Sequence, residues 1–128
     1  LNFGARLNET LKAAENSKKK GLNITIVDAR FAKPLDENII WQLATTHEAI
    51  LTIEEGSIGG FGSHVVDFLS NKGLIDANLK FRSMKLPDIF IDQDTPENMY
   101  KIASLDSTSI ENKVLDVLNS NIILQKQK

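Results

Sequence analysis

Short apolar runs alternate with longer amphipathic segments along most of this chain. Three runs have the length and β-branched content of strands, namely LNITIV at 22–27, AILTI at 49–53 and the segment at 79–85. The start, Leu1-Asn2-Phe3-Gly4, has the pattern of a strand that ends in a turn. Strands separated by helical crossovers pair in parallel. The sequence therefore predicts an α/β fold with a mainly parallel sheet covered on both faces, in which 22–27 is a strand buried on both sides.

The intervening segments carry helix start and stop signals. The predicted helices cover residues 5–20, 36–46 and about 62–72, and two more start near 96 and 107. Asp36, Thr95 and Ser107 have the short polar side chains that cap helix N-termini. Gly21 and Gly73 stand where helices commonly end.

Composition narrows the classes of function. The chain has 128 residues, of which 41% are hydrophobic and 25% charged, as in one soluble domain. A net charge of -2 gives no support for nucleic-acid binding, which usually needs a basic stripe. No apolar run approaches the roughly 20 residues of a membrane span. We therefore expect neither a nucleic-acid nor a membrane partner.

Two further expectations concern context. The sequence contains no cysteine, which excludes disulfides and thiolate metal sites and fits a reducing, cytoplasmic location. The chain starts with Leu1 rather than Met, inside a strand-like pattern. We therefore expect an internal piece of a longer protein that begins at or inside its first strand.

The densest local signal is EEGSIGGFGSH, residues 54–64, between a predicted strand and a predicted helix. This context suits anion binding at a helix N-terminus. The spacing does not match known phosphate cradles, because a P-loop needs Lys-Ser or Lys-Thr where Ser63-His64 stand, and the dinucleotide fingerprint needs glycine where Val65 stands. Two interpretations remain, a nucleotide or anion site, and a tight turn that presents Glu54 and Glu55 at the sheet edge. The sequence favours the turn.

A second polar cluster, DARFAKPLD at 28–36, also follows a predicted strand and belongs at the same edge. Asp28, Arg30 and Lys33 are placed either to form an ion-pair network with Glu54 and Glu55 or to lie in a solvated loop. The sequence favours neither alternative.

Few residues are candidates for catalysis or metal binding. The two histidines, His47 and His64, have no obvious third metal ligand, and Ser63 lacks the G-x-S-x-G elbow of hydrolases. The sequence therefore identifies no catalytic, cofactor-binding or metal-binding residue.

Four blocks of sequence occur in a recognisable order and spacing, LNFGARLNETLKAAE, VDARFAKPLDENII, TIEEGSIGGFGSHV and LPDIFIDQDTPENMY. Together they resemble the C-terminal domain of the 1-deoxy-D-xylulose-5-phosphate synthase family. The D-x-R-x-x-K-P-L-D and E-E-G…G-G-x-G blocks recur across the transketolase-like superfamily, including transketolase and the pyruvate dehydrogenase β chain. The LPD turn with its following P-E stretch points to the synthase. The resemblance weakens after about Leu118.

The resemblance implies a three-layer α/β/α sandwich on a mainly parallel mixed sheet, the transketolase C-terminal-domain-like fold. It implies a domain over residues 1–121 whose first strand is truncated, an antiparallel strand lying before Leu1, and a frayed tail over 122–128.

The resemblance also implies a homodimeric parent enzyme that condenses pyruvate with glyceraldehyde 3-phosphate to 1-deoxy-D-xylulose 5-phosphate and CO2, for isoprenoid, thiamine and pyridoxal synthesis. That parent uses thiamine diphosphate and Mg²⁺, which its first domain binds through a G-D-G…N motif that this sequence lacks. We therefore expect this domain to bind no cofactor and to be inactive alone. Its expected partners are the parent's other two domains and its dimer mate.

The positions that match the family are expected to form a structural and interface signature rather than a catalytic site. They are Asp28, Arg30, Lys33, Pro34, Asp36, Glu54, Glu55, Gly56, Gly59, Gly60 and Gly62. One departure is the stretch IASLDSTS at 102–109, because the family usually has glycine where Ser104 precedes Leu105-Asp106.

Overall fold

A computed structural model describes the backbone of residues 1–125 and the side chains of residues 1–119. The elements in chain order are β1 (Asn2–Phe3), α1 (Leu7–Lys19), α2 (Glu37–Thr46), β2 (Ala49–Glu54), α3 (Phe61–Asn71), β3 (Lys80–Met84), α4 (Pro96–Ile102) and α5 (Ser107–Gln125). The strands form a three-stranded parallel sheet in the order β1-β2-β3. The predicted α/β class is confirmed.

Helices cover both faces of this sheet. On one face, Ala13 of α1 and Ile110 of α5 pack with Ile53 and Met84 of the strands. On the other face, Ile40 of α2 packs against a cluster centred on α3. The protein is therefore a three-layer α/β/α sandwich, as expected, with one apolar core on each side of the sheet.

The prediction that 22–27 is a regular strand buried on both faces is wrong. Its residues alternate between half-buried and exposed, and its only β pairing is an isolated parallel bridge between Asn2 and Asp28. The reason is the register. With Asn2 opposite Asp28, residues 22–26 would have to pair with backbone positioned before Leu1. A regular strand needs a hydrogen-bonded partner along its whole length. Residues 22–26 are therefore extended without forming a ladder, and they are half-buried or exposed, like the residues of an edge strand.

Most helix boundaries follow the predicted signals. The Asp36 side chain accepts a hydrogen bond from the Ile39 N–H at 3.1 Å, and Thr95 caps α4 in the same way. The predicted capping role of Ser107 is wrong by one residue, because Ser107 is the first residue of α5 and the Asp106 carbonyl accepts from the Ile110 N–H.

The C-terminal helix extends beyond the predicted domain end at residue 121. Helix α5 runs to Gln125, so residues 122–125 of the predicted tail continue the helix, and residues 126–128 lie outside the described part of the chain. None of the described helices combines the length and apolar character that a membrane crossing requires.

Candidate interface at the carboxyl edge of the sheet

The loops that follow the parallel strands meet at one edge of the sheet. We call residues 4–6, 29–36, 55–60 and 85–95 the carboxyl-edge loops, since each follows an extended segment of the same direction. Two of them are joined directly, because the Leu86 N–H donates to the Gly56 carbonyl at 2.9 Å. In open α/β sheets this edge is the usual place for function.

Glu54 ends β2 and is almost fully buried, with 2% of its surface exposed. Its two carboxylate oxygens accept hydrogen bonds from the backbone N–H groups of Phe61 and Gly62, each at 2.8 Å. These donors belong to the first turn of α3, where the helix dipole favours a negative charge. The carboxylate of the protein itself therefore occupies the position that a bound phosphate would take at this helix.

The other backbone N–H groups of residues 59–64 are also engaged. The Gly59 N–H donates to Ser63 Oγ at 3.0 Å, and the Gly60 N–H donates to the Ser57 carbonyl at 3.1 Å. The N–H groups of Ser63 and His64 both donate to the Gly60 carbonyl. A phosphate cradle depends on several free N–H groups that converge on one point. Every N–H from Gly59 to His64 already has an acceptor, which argues against a nucleotide site here.

The glycine spacing follows from the position of the Glu54 side chain. A Cβ atom on Gly56 would lie 2.5 Å from Glu54 Oε2, and a Cβ on Gly60 would overlap the same oxygen. A Cβ on Gly62 would lie 2.6 Å from the Thr52 hydroxyl oxygen. These glycines therefore allow the backbone to close around a buried carboxylate, while Gly59 supplies the turn with a φ of +95°.

Glu55 takes part in a different cluster. Arg6 Nε lies 3.2 Å from Glu55 Oε1, as an ion pair without hydrogen-bond geometry, and the Tyr100 hydroxyl donates to the same oxygen. The Arg6 guanidinium carbon also lies 3.4 Å from the centre of the Tyr100 ring. The hydrogen bond to Glu55 raises the pKa of the Tyr100 phenol, and desolvation raises it further. This cluster joins the loop after β1, the loop after β2 and α4.

Sequence reasoning did not identify Arg6 or Tyr100. Both lie inside blocks quoted for the family resemblance, LNFGARLNETLKAAE and LPDIFIDQDTPENMY, so the only available signal was their presence in those blocks. Tyr100 and Glu55 are 45 positions apart, and no local pattern connects them.

The five charges that the sequence placed at this edge are divided rather than joined. Glu54 binds backbone, Glu55 pairs with Arg6, and Asp28 faces Arg30 at 3.9 Å in an exposed ion pair. Asp36 caps α2, and Lys33 is exposed beside Pro34, to which it is joined by a cis peptide bond. Exposed pairs of this kind contribute about 0–1 kcal/mol to the free energy of unfolding. These exposed charged groups therefore determine the shape and charge of the edge more than they stabilise the fold.

The carboxyl-edge loops also expose large apolar side chains. The exposed fractions are 67% for Phe31, 71% for Ile58, 62% for Ile89 and 103% for Phe90. They follow the extended segment at 22–28, β2 and β3, which run in the same direction, so they are spread along the same edge. Several large apolar groups exposed on one side of a domain indicate an interaction surface.

A family model for the transketolase C-terminal domain matches residues 1–110. The chain belongs to this family. The matched region runs from β1 into the first turn of α5 and contains all the carboxyl-edge loops.

Transketolase-type enzymes generally use thiamine diphosphate and a divalent metal, and this chain is a C-terminal domain of that type. Among its described residues, no group of three or more His, Cys, Asp or Glu side chains is positioned to hold a metal ion. The helix N-terminus that suits a diphosphate is filled by Glu54. His47 bonds Thr25 and Thr46, which is a structural role. The described residues do not fit the cofactor or its metal.

Proposed function

We propose that this chain is the C-terminal domain of a 1-deoxy-D-xylulose-5-phosphate synthase, and that its role is to pack against the parent's other domains and its dimer mate. The observation that carries this proposal is the carboxyl edge, where every backbone N–H from Gly59 to His64 has an acceptor within the chain while Phe31, Ile58, Ile89 and Phe90 are exposed. Such an edge offers shape and apolar area to a protein surface, but no reactive group.

The assignment to the synthase depends on the stretch LPDIFIDQDTPE at 86–97. It forms most of the loop between β3 and α4 together with the first two residues of α4, and it carries both Ile89 and Phe90. Transketolase and the pyruvate dehydrogenase β chain share the family, so they are the alternatives that an assay must separate.

The reaction is tested on the full-length gene product with thiamine diphosphate and Mg²⁺. Three donor–acceptor combinations distinguish the alternatives, namely pyruvate with glyceraldehyde 3-phosphate, xylulose 5-phosphate with ribose 5-phosphate, and pyruvate with a lipoyl carrier. We expect CO2 release and deoxyxylulose phosphate formation with the first pair alone. Turnover of either other pair would assign the domain to that enzyme instead.

The packing role is tested by Phe90→Asp and Ile58→Asp in the same full-length protein, with Leu11→Asp as the matched control. Leu11 is also an exposed apolar residue, at 48%, but it lies on α1 and outside the carboxyl-edge loops. We expect the two edge variants to lower kcat/KM at least tenfold or to weaken dimerisation in sedimentation, and the control to change neither. Activity of the isolated domain with pyruvate and glyceraldehyde 3-phosphate would contradict the non-catalytic role.

A further inference from the structure

The guanidinium group of Arg6 is held in place at the carboxyl edge, but most of its donors are unused. Its side chain is 15% exposed, its Nε forms the ion pair with Glu55, and the Tyr100 ring covers one face of the group. Nε is buried and has no hydrogen-bond acceptor. None of the described residues accepts a hydrogen bond from the two terminal nitrogens either. A guanidinium has five N–H donors in a planar fork, so its capacity to bind oxygen acceptors remains almost entirely free.

The terminal nitrogens of Arg6 are accessible from outside the domain. Nε is the one nitrogen of this side chain that is fully buried without an acceptor, so the other two reach solvent. Exposed apolar side chains lie close to the cluster along the chain. Ile58 follows Glu55 by three residues and is 71% exposed, and Ile102 follows Tyr100 by two residues and is 52% exposed. A protein surface that covers these apolar groups also covers the open donors.

Such packing removes the water that hydrates the terminal N–H groups. A buried donor without an acceptor is costly, and the cost is larger when the donor is charged. A surface that packs on this edge therefore has to present oxygen acceptors to Arg6.

The charge balance of the edge selects the kind of acceptor. Glu55 already neutralises Arg6, so a second carboxylate would place an unpaired negative charge in the interface. The carboxyl-edge loops contain four basic and five acidic residues, so the rest of the edge does not offset that charge. Neutral carbonyl oxygens bind the fork without adding a charge. The last turn of a helix offers several unbonded backbone carbonyls close together, with a partial negative charge.

We propose that Arg6 is a docking residue whose terminal N–H groups bind the free backbone carbonyls in the last turn of a helix, which another domain of the parent or its dimer mate presents. The inference rests on the proposed function, because it assumes that the carboxyl edge packs against the parent. Glu55 and Tyr100 are positioning residues for Arg6. They fix the guanidinium before docking, so little side-chain freedom is lost on binding.

The experiment measures hydrogen exchange by mass spectrometry on the full-length gene product with thiamine diphosphate and Mg²⁺. The variant is Arg6→Met with Glu55→Gln, which removes the donors and leaves no unpaired charge. We expect exchange about tenfold faster in the last turn of one helix outside this domain, because that turn frays when its carbonyls lose their partner. The increase should be the same at about 50 mM and about 500 mM NaCl, since screening weakens an interaction between charges and not one with neutral carbonyls.

The matched control is Arg30→Met with Asp28→Asn. It removes an ion pair of the same kind from a neighbouring part of the edge, where the Arg30 side chain is 80% exposed. We expect no change of exchange outside the domain in this control. A second variant, Arg6→Lys, covers the case in which the first does not fold, because lysine keeps a charge beside Glu55 but lacks the planar fork. It should give a smaller increase in the same helix turn.

Two results would overturn the proposal. One is an increase that falls outside a helix end or disappears at high salt, which would identify a carboxylate as the partner. The other is unchanged exchange outside the domain in both Arg6 variants. Phe90→Asp in the same assay separates this failure from failure of the proposed function. If the edge packs against the parent without using Arg6, exchange outside the domain rises in Phe90→Asp alone, and if it does not pack there, no variant changes it.

Discussion

The carboxylate of Glu54 lies 2.8 Å from the backbone nitrogen of Gly62, across the turn that joins β2 to α3. The same carboxylate accepts a hydrogen bond from the Phe61 N–H. A side chain at the end of β2 therefore satisfies two backbone N–H groups in the first turn of α3. A turn that resembles a phosphate cradle in sequence is in fact closed by an acidic side chain of its own. Gly56 and Gly60 are needed because the backbone approaches that side chain closely at both positions.

Glu54→Ala is expected to lower the free energy of unfolding by about 3 kcal/mol. The substitution leaves two buried N–H groups without an acceptor, and each costs roughly 1–3 kcal/mol. The measurement is urea unfolding followed by far-UV circular dichroism. Glu55→Gln is the control, because the Glu55 side chain is about one-third exposed and its loss should cost under about 1 kcal/mol. Similar costs for the two variants would contradict the assigned role of Glu54.

Gly60→Ala is expected to cost about 2 kcal/mol, within the range for overpacked sites. The reason is space rather than conformation, since Gly60 has a φ of -79° and the atoms nearest to the new Cβ all belong to Glu54. The penalty should therefore fall below about 0.5 kcal/mol when Gly60→Ala is made in the Glu54→Ala background. A double-mutant cycle measures this coupling. Additive costs in the cycle would show that the clash lies elsewhere.

Ser104→Gly is expected to raise the free energy of unfolding by about 0.5–1 kcal/mol. Ser104 has a φ of +58°, a left-handed conformation that costs L-residues roughly 1–2 kcal/mol, and the entropy lost by glycine offsets part of the gain. The family resemblance implies glycine at this position. Ser70→Gly, at an exposed site on α3, is the matched control and should be destabilising. A loss of stability in Ser104→Gly would mean that its hydroxyl has a role in the turn.

The sequence predicted those features that depend on neighbours along the chain. The cap at Asp36, the stop at Gly73 and the strand at 49–53 each follow from local chemistry, and the structure confirms them, with the strand one residue longer than predicted. Residues 22–27 have equally good strand composition, yet they lack a regular ladder because a strand also needs a partner in register. The amino-acid composition of a segment does not show whether such a partner strand is present.

The two adjacent glutamates show a second limit. Successive residues near a strand end point in opposite directions, so Glu54 enters the helix turn while Glu55 meets Arg6 and Tyr100. The sequence predicted the correct edge of the sheet for both glutamates, but it predicted the same role for the two side chains. Their separate roles depend on contacts with residues far away along the chain, which only the assembled layers bring together.

The chain that begins at Leu1 is expected to lose stability as the pH falls from 8 to 6. The amino group has an ordinary pKa of 8.0, and burial lowers it to about 6 in the folded protein. Between these values the unfolded state binds more protons, so the free energy of unfolding rises with pH and the full penalty is present below pH 6. A difference of about two pKa units corresponds to about 3 kcal/mol at most.

Chemical acetylation of Leu1 provides the control for this pH dependence, because it removes the charge and keeps a donor for the Leu51 carbonyl. His47, Glu48 and His64 are present in both forms of the chain, so they contribute equally to the two stability curves. The difference between the two stability curves therefore isolates the amino group. Parallel curves for the free and acetylated chains would show that the amino group of Leu1 is not buried in solution.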